Sequence, residues 1–120
     1  MEERAWVSAE RNRCLQTSAW LRATTFTHVS RAFIVEHNGK RRLVINFAHL
    51  NKFHRQRGCR YESLSALRRS FRPGDWMSSC DLADAYHHLG VHADDQDYFT
   101  FRLETDMRME YFCASALSFD

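Results

Sequence analysis

Asn38-Gly39 constrains this chain more than any other dipeptide, because it stands between two apolar-rich runs, residues 29–36 and 41–47. A two-residue hairpin turn needs positive φ at both central residues, which Asn and Gly accept. Val29, Phe33, Ile34 and Val35 precede it, and Leu43, Val44, Ile45 and Phe47 follow. Two strands joined by a tight turn are therefore expected over 29–47. The same register puts Lys40, Arg41 and Arg42 just past the tip. A cationic tip can meet a polyphosphate or a nucleic-acid backbone. It can equally protect a sheet edge by charge alone.

Residues 2–17 have the pattern of a helix with Trp6, Cys14 and Leu15 on it. Residues 18–27 form a Ser/Thr-rich connector carrying Trp20, and residues 48–60 a basic loop with Lys52, Arg55, Arg57 and Arg60. Tyr61, Leu64, Leu67 and Phe71 share one face of an expected helix over 61–71, and Arg72-Pro73-Gly74-Asp75 fits a type II turn. Strands are expected at 76–82, 98–103 and 109–117, with an acidic turn at 93–97. The order is that of an α+β fold.

With 120 residues, the chain is one domain or part of one. No apolar run approaches the roughly 20 residues of a membrane span. The first residues hold no apolar signal core, so the expectation is a soluble, intracellular protein. Cys14, Cys59, Cys80 and Cys113 are scattered and read as reduced, mostly buried thiols. The net charge of +2 divides unevenly, +8 over residues 1–60 and −6 over 61–120. Such a division suits a protein that grips phosphates with one half and a divalent cation with the other. Chance segregation of solvated charge would look the same.

The chemistry concentrates at 79–91, Ser-Cys-Asp-Leu-Ala-Asp-Ala-Tyr-His-His-Leu-Gly-Val. Asp81 ends an apolar run, and there its carboxylate can bind a hard cation such as Mg²⁺ through oxygen. Asp84 falls on the following turn, where it can cap the backbone while the N–H groups of Asp84 and Ala85 face a phosphate. Tyr86 can lie beneath a sugar. On residue chemistry alone, two acids near a strand end also read as simple caps.

Residues 81–91 resemble the first palm motif of reverse transcriptases, especially those of long-terminal-repeat and tyrosine-recombinase retrotransposons. The flanks agree in order: 29–35 and 39–47 resemble the fingers hairpin, Leu50-Asn51-Lys52 the motif after it, and 72–77 the approach to the palm. Tyr98-Phe99-Thr100-Phe101 resembles the next strand, and 111–119 the run into the second palm motif. The likeness covers about residues 18–119. It implies a partial right-hand polymerase fold: a fingers hairpin in about 1–60, and an antiparallel palm sheet packed with helices in 61–120. The implied activity is Mg²⁺-dependent, RNA-directed DNA synthesis on an RNA or DNA template-primer, with a deoxynucleoside triphosphate and no membrane.

By that resemblance Asp81 is the catalytic metal ligand and Leu82 offers its backbone carbonyl. Arg42 contacts the incoming triphosphate, with Lys40 as a second fingers cation. Asp84 and Ala85 hold phosphates through backbone N–H groups, Tyr86 is the sugar gate, and Phe119 lines the nucleotide pocket. Two departures stand against activity. Leu117-Ser118-Phe119-Asp120 replaces the family's Leu-Pro-Phe-Gly, and no Tyr-x-Asp-Asp hairpin with the remaining catalytic acids is present. The expectation is a truncated reverse transcriptase domain that is inactive alone; the alternative is a degenerate, non-catalytic nucleic-acid-binding module.

Overall fold

The structure is a computed structural model that describes residues 2–106 and 108–118. Phe119 therefore lies outside the described residues.

The chain opens with α1, Glu2–Gln16. Glu2 and Glu3 in its first turn and Arg13 in its last complement the helix dipole. Val7 and Cys14, two turns apart, are its buried positions. Ser18 takes φ +57 just past the helix, the left-handed conformation that commonly ends one. That reversal feeds β1, Trp20–Arg22, a short strand inside what the sequence presents as a plain connector.

The expected hairpin forms as β2, Ser30–His37, and β3, Lys40–Ile45, paired antiparallel from Ala32↔Ile45 to His37↔Lys40. Asn38 and Gly39 both take positive φ, +51 and +71, as a type I′ turn requires. The basic stretch begins with α2, the single turn Ala48–Asn51. The next helix, α3, spans Leu64–Ser70, with the Ser63 hydroxyl accepting from the Ala66 N–H at its start. Gly74 takes φ +92, and the Asp75 N–H donates to the Arg72 carbonyl across the expected turn. Two 3₁₀ turns follow, Ala85–His88 and Ala93–Phe99, then β4, Thr100–Glu104, and β5, Met109–Ala114.

The five strands form one sheet in the order β1-β5-β4-β2-β3. The expectation of an antiparallel sheet needs correction, because β2 and β4 pair in parallel through Ser30↔Phe101 and Arg31↔Arg102. The other three pairings are antiparallel. The fold is mixed α+β. Its core lies where α1 crosses the sheet: Val7, Cys14, Trp20, Ile45, Phe101 and Phe112 are all buried. Trp20 meets Phe101 edge-on at 4.9 Å between ring centroids.

A second correction concerns residues 76–82, which form no strand. Their pattern is that of a strand, but a strand exists only as part of a hydrogen-bonded ladder, and none of the five strands lies beside them. Residues 55–84 are exposed almost throughout, and no residue of α3 is buried. The radius of gyration, 18.3 Å, exceeds the ~14 Å of a compact chain of this length. The thiols also divide. Cys14 is buried and Cys113 half-buried, while Cys59 and Cys80 are exposed on that protruding segment. Among the described residues, no helix is long and apolar enough to cross a membrane.

Candidate functional site

A cleft of about 390 Å³ opens between α1, the β2–β3 hairpin and the 3₁₀ turn at Ala85–His88. The hairpin brings Arg41 and Arg42 to it. Arg41, Leu43 and Ile45 alternate onto one face of β3. The 3₁₀ turn brings Asp84, Tyr86 and His87, and Ser118 closes one side. Helix α1 supplies Trp6, Glu10, Arg13 and Cys14, and Trp20 lies at the floor.

Three site residues expected from sequence thus converge: Arg42, Asp84 and Tyr86. They come from segments more than 40 residues apart and meet because the hairpin and the 3₁₀ turn face each other across α1. Ala85 sits between two of them in the same turn. Asp81 and Leu82 are exposed, precede the turn, and do not line the cleft. Lys40 stays at the hairpin tip, and the second cation in the cleft is Arg41 instead.

Asp84 adopts φ +50, which Asp tolerates better than most residues. Its carbonyl accepts from the His87 N–H at 2.8 Å, which starts the 3₁₀ turn. The expected side-chain cap is absent at this turn. The carboxylate instead pairs with the Arg13 guanidinium. Arg13 also holds both oxygens of Glu10, at 2.6 and 3.0 Å. These acids, Glu10 foremost, raise the already high pKa of Arg13, so it is charged at any working pH. Burial pushes the Cys14 thiol up to about 12, so it is a neutral wall. With Arg41 and Arg42 added, the lining holds three guanidiniums against two carboxylates, a small positive excess. Trp20 Nε1 is buried with no hydrogen-bond partner among the described residues, which leaves one donor at the floor unmatched.

Helix α1 carries the residues that sequence reasoning missed. Nothing in its pattern relates Arg13 to Asp84, 71 positions away. Its charge looks like ordinary helix-surface charge. The acidic turn at 93–97 is tied to the connector before β2. Asp97 accepts from the hydroxyls of Thr25 and Thr27, which hold it below the usual carboxylate range. His92 is the residue that caps the turn, its Nδ1 accepting from the Asp94 N–H at 3.3 Å.

No group of three or more His, Cys, Asp or Glu is placed to hold a metal ion among the described residues. Asp81 offers one carboxylate and Leu82 one carbonyl, and Mg²⁺ is commonly held by one or two carboxylates together with waters and substrate phosphates. Comparison with protein families finds no match to this chain, and comparison with curated proteins finds none either.

Proposed function

We propose that this chain is the fingers and part of the palm of a reverse transcriptase, and that the cleft under Arg42 receives the triphosphate and sugar of an incoming deoxynucleotide. One observation carries the reading: Arg42, Asp84 and Tyr86, assigned to that nucleotide by sequence resemblance, line a single cleft with a positive excess. Guanidiniums at β3 suit a triphosphate, because charge-assisted contacts to phosphate oxygens are the stronger class of hydrogen bond. Tyr86, the residue that the resemblance assigns to the sugar, lines the same cleft and is 45% exposed. Phe119 belongs to the same proposed pocket by resemblance alone. In an intact polymerase Mg²⁺ would stabilise the attacking and leaving oxygens of nucleotidyl transfer. This chain would contribute Asp81 to that site, and the other acids have no counterpart here.

Binding and turnover then separate. Titration with dTTP should quench the fluorescence of Trp6 and Trp20, and Arg42→Ala should weaken binding about tenfold or more. Primer extension on poly(rA)/oligo(dT) with Mg²⁺ should give no product. Extension that disappears in Asp81→Ala would overturn the expectation of inactivity. Equal dTTP affinity in wild type and Arg42→Ala would overturn the nucleotide cleft.

A second reading, a non-catalytic nucleic-acid-binding module, is favoured by a different feature. Residues 37–61 contain seven Lys and Arg and no Asp or Glu. Residues 55–61 of this stretch are exposed and irregular. Phe53, just before that exposed part, and Tyr61, at its end, are 84% and 86% exposed and give stacking surfaces. Affinity for single-stranded DNA should fall steeply with salt and survive Asp81→Ala. Salt-independent binding would exclude this reading.

A further inference from the structure

Residues 55–89 leave the sheet and return to it without covering it. The outgoing limb starts beside Phe53 and His54, and the returning limb ends at Gly90 and Val91. All four line a second cleft, of about 820 Å³, whose deeper wall includes Leu50 and Phe99. Asp95 lines its rim beside His28, His54 and His92, and Asp94 is adjacent in the same 3₁₀ turn. The arm carries the matching pattern. Leu64, Leu67 and Phe71 lie at helical spacing on and just past α3, and Arg68 and Arg69 flank them. One molecule therefore displays an open apolar cleft with Asp94 and Asp95 at its edge and an open apolar helix with basic flanks.

We propose that two copies of this chain exchange arms, the α3 of each seated in the Leu50–Phe99 cleft of the other. A twofold exchange uses the same two patches on both partners and closes on itself. The asymmetry within one chain favours a second copy as the occupant. Within one chain, α3 does not reach the cleft: none of its residues lines it and none is buried. The area is sufficient. Phe53, Tyr61, Phe71 and Trp76 are 84%, 86%, 55% and 100% exposed. At ~150–250 Å² for each fully buried aromatic, covering them in both copies removes roughly 1,000–1,600 Å² from water, the scale of a specific interface. Charge complementarity between Arg68 and Arg69 and the Asp94–Asp95 rim would set the register and make association salt-sensitive.

Sedimentation velocity of the full chain, up to roughly 100 μM, tests this by mass action. Wild type should pass from monomer to dimer with concentration. Leu64→Glu/Leu67→Glu alters only exposed arm positions, and Leu117→Arg alters an exposed position on the cleft; circular dichroism checks that each folds. Each variant alone should raise the dimer Kd by about a hundredfold or more. Mixed together, they should form a heterodimer, because one intact arm and one intact cleft remain. A wild type that stays monomeric overturns the proposal, as does an arm variant that dimerises like wild type. A mixture no more associated than its parts also overturns it. A monomer whose α3 amides are protected from exchange would mean that the arm closes on its own cleft, and that too overturns it.

Discussion

In the sheet, Phe101 and Phe112 are completely buried and pack around Trp20; in the arm, Trp76 is completely exposed and Met77 is 79% exposed. Both pairs sit in segments with the composition of a strand. The difference lies in their neighbours. Phe101 and Phe112 are directly opposed in the β4–β5 ladder, and that ladder is flanked by β1 on one side and β2 on the other. Residues 76–82 have no strand beside them, so their backbone stays with water and their side chains have nothing to pack on. An apolar pattern sets which face of an element wants cover; only another element can supply it.

The largest difference between sheet and arm should come from truncating one aromatic in each. Phe112→Ala should cost about 3–5 kcal/mol, from lost transfer free energy and an unfilled cavity. That is a large share of the ~5–15 kcal/mol that holds a domain together. Trp76→Ala, measured on dilute monomer, should stay within about 0.5 kcal/mol. Urea denaturation of both reads the difference. A comparable loss in the two would mean that the arm packs in solution.

The next effect sharpens the contrast between buried and exposed charge. Glu110 on β5 has a side chain only 4% exposed. Burial would push its carboxyl up, but hydrogen bonds from Arg11, Thr105 and Arg22 outweigh that and hold it at about 2. The folded value lies below the unfolded one. The stabilisation is therefore complete above the usual carboxylate range and is lost as pH falls through it toward 2. The loss should be about 3 kcal/mol by pH 2. In Glu110→Gln this acid-dependent part of the loss should disappear, with a lower stability at neutral pH because Arg11 and Arg22 lose their counter-charge. Melting temperature against pH distinguishes the two chains. An unchanged acid profile in Glu110→Gln would assign the acid sensitivity to other carboxylates.

Local signals in the sequence account for much of the sheet. The Asn-Gly turn specified both strands of the hairpin, and the strands expected at 98–103 and 109–117 match β4 and β5 to within a few residues. β1 was not legible, because Trp20-Leu21-Arg22 is too short to show a period and becomes a strand only by pairing with residues 112–114 of β5. The parallel β2–β4 pairing joins residues some 70 positions apart, so no local pattern reports it. In the cleft, Arg42 and Tyr86 were legible by resemblance. Arg13 was not, because its role depends on where α1 lands. The strand expected at 76–82 fails for the reason the arm fails to pack: its pattern is intact and its partner is missing.

The smallest effect concerns the Arg13–Asp84 ion pair, which joins α1 to the returning limb of the arm. Arg13 and Asp84 are 40% and 49% exposed, so their pairing should contribute no more than about 1 kcal/mol to global stability. Its local consequence is larger, because Asp84 sits at φ +50 and begins the turn that returns the arm to the sheet. Without the guanidinium, that left-handed residue loses its side-chain restraint and can relax at a gain of about 1 kcal/mol. The 3₁₀ turn should then open more often. In Arg13→Ala, the amides of His87 and Leu89, which donate to Asp84 and Tyr86, should exchange several-fold faster, while those of β5 keep their protection. Faster exchange across β5 as well would show that the pair supports the sheet rather than the arm. Unchanged exchange at His87 would show that the turn holds without α1, and the arm would then be anchored by its backbone alone.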